Sequence, residues 1–151
     1  MNRRYIGLIV VGVIVVVLYF LNRKDVEVVS MQPFKMHSIS ASGGELQGVI
    51  LLKNPNLLSS TIKSIHEKFY LNGILLGILE NDISQGIPGL KESEFPISIR
   101  FSNTDYQKAL SIDTTHHSDS VIMVTGDIEF QNLFNSNKAE VKQSAVITHE
   151  K

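Results

Sequence analysis

The sequence has no cysteine and no tryptophan among its 151 residues, and it has only four prolines. Without cysteine there is no disulfide framework, no thiol nucleophile and no cysteine that a lipoprotein could use for lipid attachment. The same absence neither supports nor excludes an oxidising compartment. A cysteine enzyme and a disulfide-stabilised secreted domain are therefore both excluded.

Positive charge is scarce after the first 24 residues. Four of the fourteen Lys and Arg residues lie within 1–24, which hold no acidic residue. Residues 25–151 hold ten basic and fifteen acidic side chains, a net charge of −5. A domain of this sign lacks the basic surface that binds DNA or RNA, and it gains nothing from anionic lipid headgroups. Nucleic-acid binding is therefore excluded as its function.

One long apolar run stands near the start of the chain. It extends from Tyr5 to Leu21 without a charge, preceded by Arg3 and Arg4 and followed by basic residues at 23 and 24. Seventeen helical residues rise ~26 Å, near the lower limit for crossing a bilayer. The run predicts a single transmembrane helix, with residues 1–24 as the anchor and the lipid bilayer as its partner.

The residues that flank this run bear on cleavage and orientation. No A-x-A pattern follows it, so we expect an uncleaved signal anchor rather than a removed signal peptide. Two basic residues lie on each side, so the positive-inside count is a tie that only the amino terminus breaks. The prediction is a single-pass membrane protein with its larger domain on the periplasmic or extracellular side.

The remaining residues, 25–151, form one domain in which hydrophobic residues recur with a period of two. Residues 95–101 alternate apolar and polar side chains, and Asn72-Gly73 separates two apolar runs. Asn-Gly in that position predicts a tight hairpin, because both residues accept a positive φ. Pro96 cannot donate a ladder hydrogen bond, which favours either an edge position for its strand or a place for the proline near the start of the strand. The pattern predicts an all-β antiparallel sandwich.

One segment departs from this period. Residues 102–112 place apolar side chains at helical spacing, behind Asn103 and Thr104 as candidate capping residues. The sequence therefore predicts one short helix that closes an end of the sandwich.

Candidate chemistry is sparse. His66-Glu67 resembles the start of a zinc-protease motif but lacks the second histidine, and a strand would send the two side chains to opposite faces. The loop from Asp113 to Asp119, which also contains His116 and His117, either gathers ligands for a divalent cation or is a polar connection. No serine elbow and no phosphate-binding loop is present. We expect no enzyme activity, no cofactor and no small-molecule substrate.

Asn54-Pro55-Asn56 interrupts an otherwise aliphatic stretch. Neither asparagine begins an N-x-Ser/Thr glycosylation site. Pro55 fixes its own φ and disfavours a helical Asn54, and each asparagine side chain can bond to nearby backbone. The trio therefore predicts a structural turn that ends a strand.

These features occur in an order that is known from one family. The sequence resembles the type 2 late-embryogenesis-abundant domain, also called the water-stress and hypersensitive-response (WHy) domain, over residues 26–148. The elements that carry the resemblance are an aliphatic strand into Asn54-Pro55-Asn56, a Phe69–Gly73 hairpin, Leu76-Gly77, Ile87-Pro88, the alternating strand 95–101 and Val124–Ile128.

The resemblance implies a seven-stranded immunoglobulin- or fibronectin type III-like sandwich with one short helix and no catalytic residues. It also implies a role in protection during desiccation and stress, or scaffolding, at the cell envelope. An accessory or docking subunit of a larger envelope or secretion complex is the alternative function. A metal-binding protein that uses the Asp113–Asp119 loop is a remote alternative.

Overall fold

In the computed structural model of the protein, the structure describes residues 3–112 and 121–149. These residues form two helices and eight strands, which in chain order are α1 (Arg3–Leu21), β1 (Glu27–Met31), β2 (Phe34–Ser40), β3 (Gly43–Asn54), β4 (Ser60–Leu71), β5 (Ile74–Ile87), β6 (Lys91–Ser102), α2 (Asn103–Ile112), β7 (Val121–Gln131) and β8 (Ser136–His149).

The strands form two layers. Sheet A contains β1, β2, β3 and β6, and sheet B contains β5, β4, β7 and β8 in that spatial order. A short parallel pairing of residues 34–36 with 147–149 joins the two sheets. Within the described residues, β5 pairs only with β4 and β6 only with β3, so these two strands are edges. The edge position of β6 agrees with the prediction from Pro96, and the β-rich fold fits a sandwich.

The resemblance implies seven strands, whereas eight are described. β1 and β2 lie one after the other along the same side of β3, paired with residues 50–53 and 43–47 respectively. Gln32 and Pro33 separate them. Because proline has no N–H to donate, it interrupts what would otherwise be one continuous strand, and the extra strand results.

The core lies between the two sheets and is made of their inward-facing aliphatic and aromatic side chains. Phe34 of sheet A and Phe69 of sheet B meet edge to face across it, with ring centroids 5.8 Å apart. Gly48 leaves the space that Phe34 fills, since a Cβ there would lie 2.4 Å from the ring. The core therefore depends on small and large residues that alternate across facing strands.

Helix α2 closes one end of the sandwich. It buries Tyr106 and Ala109, and the Tyr106 ring lies 5.4 Å from that of Phe101. Its amino-terminal cap is Ser102, whose Oγ accepts the Asp105 N–H (3.1 Å) and donates to the Asp105 carboxylate (2.6 Å). The predicted caps, Asn103 and Thr104, lie one and two residues after the observed cap, because the last residue of β6 is also the cap of the helix.

The predicted transmembrane anchor is wrong. No helix among the described residues is long and apolar enough to cross a membrane. α1 begins at Arg3, and its charge-free part from Tyr5 to Leu21 rises only ~26 Å, short of the ~30 Å hydrocarbon layer. The anchor over 1–24, the fold class that included a transmembrane helix, the signal-anchor assignment and the single-pass localisation are all corrected by this finding.

Candidate functional site

The turn that ends β3 is built on buried amides. Asn54 and Asn56 are fully buried, although asparagine is usually exposed. The Asn54 amide donates to the carbonyls of Leu58 and Ile87, both at 3.1 Å. Its oxygen accepts from the Asn56 backbone N–H and side-chain amide, both at 3.0 Å. Asn54 therefore fixes the local turn and ties it to the end of β5.

Asn56 connects this turn to the segment after α1. Its side-chain oxygen accepts the Lys24 N–H at 2.9 Å, and its amide donates to the Lys24 carbonyl at 2.8 Å. The Asn56 side chain thus pairs with both backbone groups of Lys24, as the backbone of a neighbouring strand would. Its backbone carbonyl also accepts the Leu90 N–H at 2.8 Å. The turn thus gathers three separate segments of the chain.

Asn22 and Asn132 complete the connection. Asn22 is fully buried at the end of α1; its side-chain oxygen accepts the Leu58 N–H at 2.5 Å and its amide donates to the Leu18 carbonyl at 2.6 Å. The Asn132 amide, from the loop between β7 and β8, donates to the Asn22 carbonyl at 2.8 Å. We call Asn22, Asn54, Asn56 and Asn132 the asparagine junction. It holds the end of α1 to one end of the sandwich.

Beyond the junction, α1 is apolar and exposed. Twelve of its large hydrophobic side chains, from Leu8 to Leu21, are 44–69% exposed. Its last turn touches the sandwich through Tyr19, whose ring meets Phe134 edge to face at 5.9 Å. An isolated helix that is apolar on every side is unfavourable in water. The exposed side chains of α1 are therefore typical of a surface that packs against a partner.

The hairpin between β4 and β5 turns at Asn72 and Gly73. Both have positive φ, 50° and 79°, which is the conformation that the Asn-Gly pair was predicted to adopt. The Asn72 amide also donates to the Ala109 carbonyl at 3.1 Å, and so it ties the turn to α2. The turn residues are thus structural, and one of them also positions the helix.

His66 and Glu67 lie on opposite faces of β4, as strand alternation predicts. Nε2 of His66 lies 3.7 Å from Oε1 of Glu80, and Nδ1 lies 4.0 Å from Oδ2 of Asp127. Lys138 adds a contact of 3.5 Å to the same Asp127 oxygen. This row crosses all four strands of sheet B on its outer surface, where the groups are partly exposed. Both ring nitrogens of His66 therefore face carboxylates.

Glu67 points into the core. It is fully buried, and neither carboxylate oxygen has a hydrogen-bond partner. Burial raises the pKa of this carboxyl to about 7, because the charged form loses its hydration without gaining a partner. The sequence indicated which way Glu67 points, but it did not show that the carboxyl would lack a partner there.

The predicted metal loop, Asp113–Asp119, lies outside the described residues. Among those that are described, no three His, Asp or Glu side chains form a group that could hold a metal ion. On the outer face of sheet A, Glu45 accepts hydrogen bonds from Ser98 and Gln47, which lower the pKa of its carboxyl. These donors are therefore occupied within the protein.

Comparison with known proteins identifies the fold and nothing finer. No family model and no curated protein matches the chain. A solved structure from Archaeoglobus fulgidus is similar, at 10% identity and a TM-score of 0.57, covering 81% of this chain and 93% of that one. A solution structure from Arabidopsis thaliana is similar at 11% identity and a TM-score of 0.62, covering 82% of both chains.

A similar domain also occurs inside a much larger protein. The crystal structure of a β-glucuronidase from Bacteroides uniformis matches at 10% identity and a TM-score of 0.50, over 80% of this chain but only 14% of that one. The same fold thus forms a small protein in one case and a minor part of an enzyme in another. The fold does not identify the function of this chain.

Proposed function

We propose that this chain is a non-catalytic scaffolding subunit, in which the sandwich is held at a fixed position on the end of α1. The observation that carries the proposal is the asparagine junction, in which side chains from the β3–β4 and β7–β8 loops bond to the backbone of residues 22–24. A flexible tether would need no such bonds. A fixed connection favours a protein that positions one surface relative to another.

The partner of this subunit is proposed to bury α1. The twelve exposed hydrophobic side chains of that helix supply more apolar surface than a lone domain of this size usually leaves in water. The partner surface would have to be apolar as well, since the described middle of the helix carries no charge. The sandwich would then be displayed outward from the assembly.

Site-specific photo-crosslinking in native extracts tests this function. A photoreactive residue at Val16 should capture one partner in stoichiometric yield, and the same residue at Gln47 on the outer face of sheet A should not. A second variant, Asn56→Ala, should loosen the connection between the sandwich and α1 in the captured complex. It should not prevent capture. Equal capture from positions 16 and 47, or none from position 16 in repeated extractions, would contradict the proposal.

A second candidate function is protection during drying, which the resemblance to the type 2 late-embryogenesis-abundant domain favours. The order of the Asn-Pro-Asn turn and the Asn-Gly hairpin supports it, and no residue of the described chain assigns a client. The test compares recovery of a drying-sensitive enzyme after desiccation with this protein and with an equal mass of an inert protein. Recovery no better than that control would remove this candidate.

A further inference from the structure

Two adjacent residues of β4 carry proton-accepting side chains on opposite faces of sheet B. His66 belongs to the outer row with Glu80 and Asp127, and Glu67 belongs to the core. Their relative position follows from strand geometry, because successive side chains point to opposite faces. The same strand therefore presents His66 on the surface of sheet B and buries the carboxyl of Glu67 in the apolar core.

On the inner side, Glu67 is surrounded by residues that cannot pair with a charge. Ile65 and Phe69 flank it along β4, Gly126 is opposite on β7, and Leu79 is opposite on β5. The buried hydrophobic side chains of sheet A include Phe34, Leu46 and Ile97. Among the described residues, Glu67 is the one buried acidic or basic side chain. An ionised carboxylate there is destabilising, whereas the protonated form avoids most of that cost.

The position of β4 connects Glu67 to an edge strand. β4 lies in the interior of sheet B, and β5 is held in that sheet through β4 within the described residues. Edge strands open at lower free energy than interior strands, because fewer contacts hold them. A change in the charge of Glu67 therefore acts first on β5.

We propose that the buried carboxyl of Glu67 makes β4 a proton switch, in which proton uptake in mild acid stabilises sheet B and proton loss in mild alkali loosens β5. Protonation removes a negative charge that no group in the core pairs with. Stability is fully present below the pH at which the unfolded glutamate ionises, and it falls as the pH rises towards and through the point at which Glu67 ionises in the folded chain.

Urea unfolding of the full chain at pH 5 and pH 8 tests the proposal. For a carboxyl whose pKa rises from 4.5 unfolded to about 7 folded, this pH change should raise the unfolding equilibrium constant by on the order of 50-fold. Glu67→Gln should remove that part of the pH dependence, whatever its effect on overall stability. Glu92→Gln, an exposed carboxylate on β6, is the matched control and should retain it. A Glu67→Gln chain with the full pH dependence of the parent would overturn the proposal.

Hydrogen exchange of the unmodified full chain tests the location and needs no variant to fold. After correction for the intrinsic pH dependence of exchange, amides of β5 should open at least ten-fold more often at pH 8 than at pH 5. Amides of β6, the edge strand of the other sheet, should change little. An equal increase in both strands, or none in β5, would overturn the assignment of the switch to sheet B.

Discussion

Among the residues that the structure describes, three asparagine side chains are fully buried, and each bonds to backbone that lies at least 32 residues away in the sequence. The pairs are Asn22 with Leu58, Asn54 with Ile87 and Asn56 with Lys24. A buried amide is stable only when its donors and acceptors are paired, so these residues specify which segments meet. They are structural residues whose effect reaches well beyond their own turn.

Asn56→Ala should lower the free energy of unfolding by about 2 to 3 kcal/mol, because it removes three buried hydrogen bonds and leaves the backbone of Lys24 unpaired. Urea unfolding at constant pH measures the change. Asn81→Ala, at an exposed position of β5, should stay within about 0.5 kcal/mol of the parent. Equal losses in both variants would show that the buried bonds contribute nothing particular.

Gly126→Ala should destabilise the protein by about 2 kcal/mol or more. A Cβ at this position would lie 1.9 Å from the carbonyl oxygen of His66 and 2.7 Å from the Cα of Glu67, so the backbones of β4 and β7 would have to separate. Thermal unfolding provides the measurement. Gly86→Ala is the matched control on β5, where nothing lies within 4 Å of the new Cβ, and its melting temperature should be unchanged or slightly raised.

At the scale of elements, α2 begins where β6 ends. Ser102 is the last residue of the strand and also the cap of the helix, which leaves no loop between them. The cap satisfies one of the helix's free N–H groups, and Asp105 in the first turn interacts favourably with the helix dipole. The orientation of the helix over the end of the sandwich is thereby coupled to β6.

Ser102→Ala should cost about 1 kcal/mol of stability, since the Asp105 N–H loses its partner at the start of α2. Chemical unfolding followed by circular dichroism measures it. Ser111→Ala, at the exposed end of the same helix, should change stability by less than about 0.5 kcal/mol. A Ser102→Ala loss no larger than that of Ser111→Ala would contradict the capping role.

At the scale of the whole molecule, the junction makes residues 22–24 part of the sandwich rather than part of the helix. Asn22 and Lys24 bond to the β3–β4 turn and to Asn132, whereas the exposed turns of α1 extend away from these contacts. The boundary of the stable domain thus lies between residues 21 and 22, three residues before the boundary predicted from composition.

Two fragments test this boundary. Residues 22–151 keep every junction residue, and residues 25–151 lose Asn22 and Lys24. The shorter fragment should be less stable than the longer one by about 2 kcal/mol or more, because it leaves the Leu58 N–H and the side-chain oxygen of Asn56 without partners and removes one of the two bonds that the Asn56 amide donates. Paired urea titrations measure the difference. Equal stability of the two fragments would place the boundary at residue 25 after all.

The local features of the fold were readable from the sequence, and the long-range ones were not. Asn72-Gly73 predicted its hairpin and Pro96 predicted an edge strand, because each restricts the backbone of its own neighbourhood. Asn54-Pro55-Asn56 was interpreted as a turn, but its bonds to residues 24 and 87 depend on partners that no local pattern indicates. Asn22 and Asn132 were missed for the same reason. The composition of α1 predicted a membrane crossing, which the length of the helix does not support.

The sequence by itself determined the period-two strands, the hairpin, the short helix and the opposite orientations of His66 and Glu67. Each of these follows from backbone preferences and alternation within a few residues. Only the tertiary structure decided that Glu67 is buried without a partner, that His66 lies between two carboxylates, and that four asparagines hold α1 to the sandwich. The physical reason is that burial and hydrogen bonding depend on which distant segments the folded chain brings together.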